Sequence, residues 1–448
     1  MAGGTWTAQN KVRPGAYINF RTTPRPSMTV GDRGTAAILL PLPWGPDDGL
    51  IDVYSDELAD GRSISKIGLT AMDPAAKLLA AMLSNCYLAK VMRANTGGSA
   101  ATATETGLTV SAKYAGTLGN KITVAVEPND LLFRVTTFVD GIARDSQIVA
   151  EIEELEANDY VTFSGTGAPP ISAGIALAGG TDGAYVEATR YAQYFNALKT
   201  AFWQVAAVTT DTPAIKNATV AFVETLRDRQ GRYVQAVVPN YSAADHEGVV
   251  SVLNSCDIDG VDFTPAEAAA LVAGLMAGTP IASNAARSAS NTGYVIRGAT
   301  KIAPELEEDA IKAALQSGHI VFTRNQSGAV KIEQDINSLN TFTPEKGRMF
   351  RKNRVVRTLD EIGTTAKSKW EDSYMGRVSN DEDGRAMFRA DMVSYLTELQ
   401  RIGAIQGFAG SEDVQVSQGD NPDSVLCVIR VTPVDSMEFL YLTCVMAA

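Results

Sequence analysis

The side chains with the widest chemical reach are scarce in this sequence. Among 448 residues there are two histidines, His246 and His319, which leaves little material for acid–base or metal chemistry. A Ser-His-Asp set can be assembled on paper, but the G-x-S-x-G turn that presents a nucleophilic serine is missing. An ordinary polar contact is therefore the reading for each imidazole. Gly116-Thr-Leu-Gly119-Asn-Lys121 resembles a phosphate loop only loosely. It lacks the Walker spacing and joins two β strands rather than a strand and a helix, which predicts a hairpin turn. Asp257, Asp259 and Asp262 around Gly260 have no glutamate at the bidentate position of a calcium loop, so they read as a solvated turn. Asp381-Glu382-Asp383-Gly384 reads the same way. Cys86, Cys256, Cys427 and Cys444 are widely spaced, fit no metal pattern and read as reduced, small apolar residues. No catalytic residue, cofactor or metal ligand is assigned, and an enzyme is not expected.

The stronger chemical signal is charge. Between residues 346 and 357 lie Lys346, Arg348, Arg351, Lys352, Arg354 and Arg357, with no acid, in a chain of net charge −12. An acidic chain is a poor partner for nucleic acid, because phosphate binding needs a basic face. The island is either a solvated helix face or a patch turned toward an acidic partner. On the second reading Lys346, Arg348, Arg351, Lys352 and Arg354 are the contact candidates. The island follows a strand carrying Val330 and Ile332 and a loop over 337–343. Thr343-Pro344-Glu345 predicts a helix start, with a capping hydroxyl and proline at the first helical position.

What must position these residues is an α/β pattern ahead of the island and helices followed by strands behind it. The length predicts two to four domains, and 45% hydrophobic with 20% charged residues is the composition of a globular protein. Residues 36–40 form a continuous apolar strand, as a parallel sheet covered on both faces requires. Asp73-Pro74 starts a helix running to 83, and 86–93 is the next strand. Residues 96–105 are rich in Gly, Ser, Thr and Ala and read as a linker. Residues 108–126, 131–141 and 160–163 alternate apolar and polar side chains, which predicts a small antiparallel β domain inserted between 96 and 183. Helices at 185–200, 213–229 and 265–277 then alternate with strands at 203–208 and 233–238, and 319–324 with 329–332 reads as a hairpin. A helix over 384–402 has one apolar face made by Phe388, Met392, Tyr395, Leu396, Leu399 and Ile402, a core face. Strands are expected at 413–416, 425–431 and 436–446. The units are thus an arm (1–31), a discontinuous α/β core (32–95 and 184–335), the β insertion (96–183) and an α+β C-terminal domain (336–448).

Both ends are extended and self-insufficient. The arm carries Lys11, Arg13, Arg21 and Arg25, no acid, and three prolines that bar helix. It is either a frayed terminus or an arm that docks on another subunit. At the other end, SMEFLYLTCVM is apolar on both faces, and a strand of that kind exposes backbone groups that invite pairing. The opening fifteen residues have no apolar leader segment. No run approaches the roughly 20 apolar residues of a membrane span.

Four stretches together resemble the contractile tail sheath proteins of bacteriophages and related contractile injection particles. RPGAYINF at 13–20 is similar to that family's N-terminal arm, and KYAGTLGNKITV at 113–124 to the opening of its β insertion. EQDINSLNTFTPEKGRMFRKNRVVRTLDEI at 333–362 resembles the junction into its C-terminal domain, and GRAMFRADMVSYLTELQRIGAIQGF at 384–408 that domain's long helix. Ala115 stands where the family commonly has proline, which concerns one turn. The resemblance implies a non-enzymatic structural protein whose subunits stack into a helical cylinder around a rigid inner tube, then shorten and drive the tube through an envelope. It implies a subtilisin-like core without peptidase function, in line with the missing serine turn. The implied partners are copies of itself, the inner tail tube protein, and baseplate and tail terminator proteins, without direct nucleic-acid contact, membrane insertion or cofactor. The implied place is the tail of a virion or phage-like particle, assembled in the host bacterial cytoplasm. Strand exchange would run through Tyr17, Ile18, Asn19 and Phe20 and through Phe439, Leu440, Tyr441, Leu442 and Thr443, linking subunits by heterologous contacts that do not close. The competing classes are a hydrolase built on the α/β domain and a surface-layer or capsid-like assembly protein.

Overall fold

Strands that are apolar on both faces lay down the centre of the molecule. The computed structural model describes residues 2–4, 15–17, 34–283 and 287–446, the first two stretches as backbone alone. Thr35–Leu40 pairs in parallel with Leu88–Arg93 on one side and Val205–Ala207 on the other. Gln235–Pro239, Val249–Val252 and His319–Ile320 extend the sheet in parallel, and Ile51–Tyr54 closes the far edge antiparallel. Seven strands result, in the order 319, 249, 235, 205, 35, 88, 51 by first residue.

Side chains alternate across this sheet with the period of two that a pleat imposes. Ala36, Ile38 and Leu40 point into a core with the helices Lys77–Leu83 and Pro265–Gly278. Ala37 and Leu39 point into a second core with Glu187–Leu198 and Pro213–Glu224. Pro265–Gly278 is buried nearly all round. Thr264 and Glu267 cap it reciprocally, each side chain taking the other's backbone N–H at 3.2 and 2.9 Å. Gly274 lets it cross the neighbouring helix closely, since a Cβ there would lie 2.3 Å from the Met82 carbonyl oxygen.

The inserted segment forms two stacked antiparallel sheets. One runs Ile142–Val149, Leu132–Val139, Ile122–Asn129, Ser172–Ala176; the other runs Val161–Gly165, Leu108–Ala112, Thr102–Glu105. Their facing residues share a core into which Trp44 also packs. Two expectations are corrected here. The 116–121 segment is a 3-10 turn that carries the chain from one sheet to the other, not a hairpin, because Leu108–Ala112 and Ile122–Asn129 never pair. The predicted linker is partly strand: Thr102–Glu105 pairs with Leu108–Ala112, and Thr96 bridges Ala184.

C-terminal to the core, the helices Asn353–Lys369 and Glu382–Arg401 enclose a fourth core with the hairpin Val414–Gln418/Val425–Ile429. Phe388, Met392, Tyr395, Leu396, Leu399 and Ile402 are all buried in it. Two more expectations change. Thr343-Pro344-Glu345 starts no helix: the Thr343 hydroxyl takes the Lys346 N–H at 3.0 Å in a tight turn, and the α-helix begins ten residues later at Asn353. The acidic run at 381–384 is a helix start rather than a solvated turn, with the Asp381 carboxylate accepting the Gly384 N–H at 2.8 Å. Among the described residues, no helix is long and apolar enough to cross a membrane.

Candidate assembly site

The C-terminal segment expected as a strand has no strand partner among the described residues. The last backbone hydrogen bond runs from the Val434 N–H to the Ala404 carbonyl, and none joins residues 435–446 to the described residues. A lone strand is only half a ladder, and no strand among the described residues supplies the other half. Phe439, Leu440, Tyr441, Leu442, Val445 and Met446 stand in solvent, Leu440 at 85% and Tyr441 at 92% of full exposure. Isolated exposed apolar residues are normal, but six within eight positions make an apolar patch of the kind that marks interaction sites. At the other end, Gly15–Tyr17 pairs in parallel with Ala2–Gly4 of its own arm. Ile18, Asn19 and Phe20 lie outside the described residues.

The root of the C-terminal segment is tied down by one side chain. Glu438, 6% exposed, accepts hydrogen bonds from the Thr292 hydroxyl at 2.9 Å and the Gln334 amide at 2.7 Å, and it pairs with Lys352. Burial pushes its carboxyl up, yet the Lys352 and Gln334 hydrogen bonds and the Lys352 charge outweigh that and hold it below the usual range. Beside it lies a groove of ≈ 710 Å³ walled by Lys312, Arg348 and Arg351 and overhung by Phe439 and Tyr441.

The basic island is largely spent within its own chain, so neither a uniformly solvated face nor a uniformly free patch describes it. Lys346 pairs with Glu247 at 2.7 Å. Arg351 donates to the Leu315 and Gln316 carbonyls at the end of the Glu308–Gln316 helix. Lys352 holds Glu438, and Arg354 donates to the Ser283 hydroxyl at 2.5 Å. Arg357 is buried against Asp335 at 2.8 Å. Arg348 is exposed and has no counter-ion or acceptor among the described residues. Among the described residues the island therefore splits into anchors and one free cation, Arg348.

Of the residues considered for chemistry, His319 is buried with its Nδ1 2.8 Å from the Ser251 hydroxyl. That hydroxyl also accepts the Tyr241 N–H at 2.7 Å and is wholly buried, and burial pushes the His319 imidazole down. Asp257 is an interior staple, its carboxylate taking the Thr300 hydroxyl and the backbone N–H groups of Thr300 and Lys301. Asp228, His246 and Glu247 offer ligand atoms within 4.8 Å of one another. The Lys346 ammonium stands against the two carboxylates, 2.7 Å from Glu247 and 3.9 Å from Asp228, and supplies the positive charge there.

The sheath tail protein from Desulfitobacterium hafniense has a solved structure that superposes on this chain with TM-score 0.78. It is 36% identical over 94% of this chain and 97% of that one. The phage-like element PBSX protein XkdK of Bacillus subtilis is 34% identical over 98% of this chain and 99% of its own length. Residues 96–182 match the phage tail sheath protein beta-sandwich domain, 184–338 its central domain, and 345–447 the phage tail sheath C-terminal domain. The chain belongs to the phage tail sheath protein family. The same fold recurs at 12% identity and TM-score 0.58 in the contracted helical sheath of the anti-feeding prophage, over 97% of this sheath chain and 99% of that one.

In this sheath protein, then, Phe439 to Thr443 form an exposed segment, Arg348, Arg351 and Lys352 stand about its root, and Lys346 and Arg354 bond elsewhere, to Glu247 and Ser283. Of the arm candidates, Tyr17 is described as backbone alone and the other three lie outside the described residues. The residues sequence reasoning missed are Glu438, Thr292 and Gln334. A signal for the first was present, since Glu438 is the only charge in SMEFLYLTCVM. Nothing local marks the other two, which are 146 and 104 residues away.

Proposed function

We propose that this sheath protein polymerises into a helical cylinder around an inner tail tube and shortens to drive that tube through a cell envelope. The observation that carries the proposal is the exposed, backbone-unpaired apolar segment at 439–446. Its acceptor in this reading is a neighbour's Val414–Gln418/Val425–Ile429 hairpin, a two-stranded ribbon with Leu426 and Val428 exposed and marginal on its own. The arm residues Tyr17, Ile18, Asn19 and Phe20 add a second donated strand. The partners are further copies of the chain, the tube protein, and baseplate and terminator proteins. Arg348 is the best-placed contact to an acidic tube, because among the described residues it alone of the five candidates has no counter-ion or acceptor. The core is subtilisin-like in topology without peptidase function: the sealed Ser251–His319 pair argues against the hydrolase reading, since no substrate reaches a fully buried hydroxyl. The protein works in the tail of a virion or phage-like particle and assembles in the host bacterial cytoplasm.

Magnitudes explain why the tail waits for a neighbour. Burying six large apolar side chains yields about 9–18 kcal/mol at ~1.5–3 each. Ordering eight residues costs about 8–16 kcal/mol at ~1–2 each. These nearly cancel, so the ladder's hydrogen bonds, ~0.5–1.5 kcal/mol each, decide the outcome. Only a sheet edge supplies them. Negative-stain microscopy of the intact chain and of a chain ending at Glu438 tests this: tubes are expected from the first and dispersed particles from the second. Equal tubes from both would end the strand-donation account, and flat sheets or shells from the intact chain would favour a surface-layer or capsid-like protein.

A further inference from the structure

The Glu438 anchor has a second connection. The Thr292 hydroxyl that donates to Glu438 also accepts the Asp335 N–H at 2.9 Å, and Gln334 precedes Asp335 in the chain. The Asp335 carboxylate, 1% exposed, takes the Asn291 N–H at 3.0 Å, the Asn353 amide at 2.9 Å and the Arg357 guanidinium at 2.8 Å. Asn353 opens the Asn353–Lys369 helix, and Lys352, the cation on Glu438, immediately precedes it. The three donors to Glu438 that come from the body are thus built into, or sit next in the chain to, the buried network that fastens the C-terminal helix to the α/β core. Beyond Val434 no other side chain of the segment bonds to the body among the described residues: the Ser436 hydroxyl reaches only Glu438 itself, at 3.2 Å, and its N–H only Asp435.

We propose that Glu438 is the latch of the donated strand: its seat on Lys352, Gln334 and Thr292 fixes where the strand begins, and carries the neighbour's pull into the Asp335–Arg357 network. The inference rests on the strand-donation reading above. Fixing the root has two consequences. It removes part of the chain entropy that pairing would otherwise cost, which is preorganisation. It also sets phase, because successive side chains point to opposite faces and a one-residue slip would exchange Phe439, Tyr441, Thr443 and Val445 for Leu440, Leu442, Cys444 and Met446. An acid is suited to the task where an apolar residue is not. It is held by directional, charge-assisted bonds at one position only, whereas leucine would fit several registers.

The test measures the polymerisation threshold of the full-length chain by pelleting across a concentration series, beside E438Q, K352M, K352R and the chain ending at Glu438. Thermal unfolding of each variant checks that the body is intact. The expected result is a threshold raised roughly tenfold or more in E438Q and K352M, the factor that losing one charge-assisted hydrogen bond gives. K352R, which keeps the charge, should stay near the parent, and the truncated chain should not polymerise. If truncation abolishes polymer while E438Q and K352M match the parent, the latch is wrong and strand donation stands. If K352R fails as K352M does, charge pairing is not what holds the root. Should the truncated chain polymerise as the parent does, strand donation falls and the latch with it.

Discussion

Removing Asp335 should loosen the C-terminal helix more than any surface change could. The carboxylate and its partner guanidinium are each 1% exposed, so D335A strands the Arg357 charge in the interior with the Ala289 carbonyl, 2.9 Å away, as its remaining bonded partner. Breaking a buried pair from one side costs ~3–5 kcal/mol, because the orphaned charge keeps its desolvation penalty. With a urea slope of about 2 kcal/mol per M, the midpoint should fall by roughly 1.5–2.5 M. Amide hydrogen exchange followed by mass spectrometry across 353–369 assigns the transition to this helix rather than to the β insertion. D335N, which keeps the shape and an acceptor, should fall between the two. A midpoint for D335A within about 0.5 M of the parent would refute the argument. The pH dependence has a definite sign. Burial pushes the Asp335 carboxyl up, but Arg357 and the hydrogen bonds from Asn291 and Asn353 hold it below the usual value. A lowered native pKa means the unfolded chain binds protons first. The contribution is therefore complete above the ordinary aspartate range near pH 4 and is lost only as pH falls through the lower native value. D335A should lose that acid-limb dependence.

Two further outcomes follow from close contacts and free charge. G274A places a methyl 2.3 Å from the Met82 carbonyl oxygen and 2.7 Å from its Cα; these are backbone atoms, so overpacking of ~1–3 kcal/mol should outweigh the ~1 kcal/mol of helix propensity gained. Thermal unfolding checks it, and a melting temperature equal to or above the parent's would contradict the packing account. R348E removes no bond to a described residue and should leave stability within ~0.5 kcal/mol while lowering co-assembly with the tube protein, read by co-sedimentation; unchanged co-assembly would remove Arg348 from the proposed tube-facing surface.

What the sequence made legible were the features set by near neighbours. The apolar run at 36–40 and the face repeating through 388–402 became strand and helix because periodicity is a local property. Val249–Val252 was not legible: VVSV is four buried residues, and a run that short looks alike in a strand and in a buried helix. The order of the seven strands was equally hidden, since pairing across 249 and 319 depends on contacts far apart in the chain. The basic island shows the same limit in electrostatic form. Six cations without a local acid looked like an external surface, yet Lys346 finds its carboxylate 99 residues away and Lys352 finds its own 86 residues away.

The one charge within SMEFLYLTCVM therefore has to be judged against the body, not against its neighbours in sequence. In an extended strand Glu438 would share a face with Leu440 and Leu442, where a carboxylate facing a packed partner sheet would be an unpaired buried charge costing several kcal/mol. Held by three donors from the body, it instead ends the apolar run at Phe439 and leaves the eight described residues after it without a backbone partner. On the strand-donation proposal the exposed tail and the buried acid are two halves of one design: the segment can stay unpaired on its own subunit because its root is held, and it can be donated because no described residue beyond that root is bonded to the body.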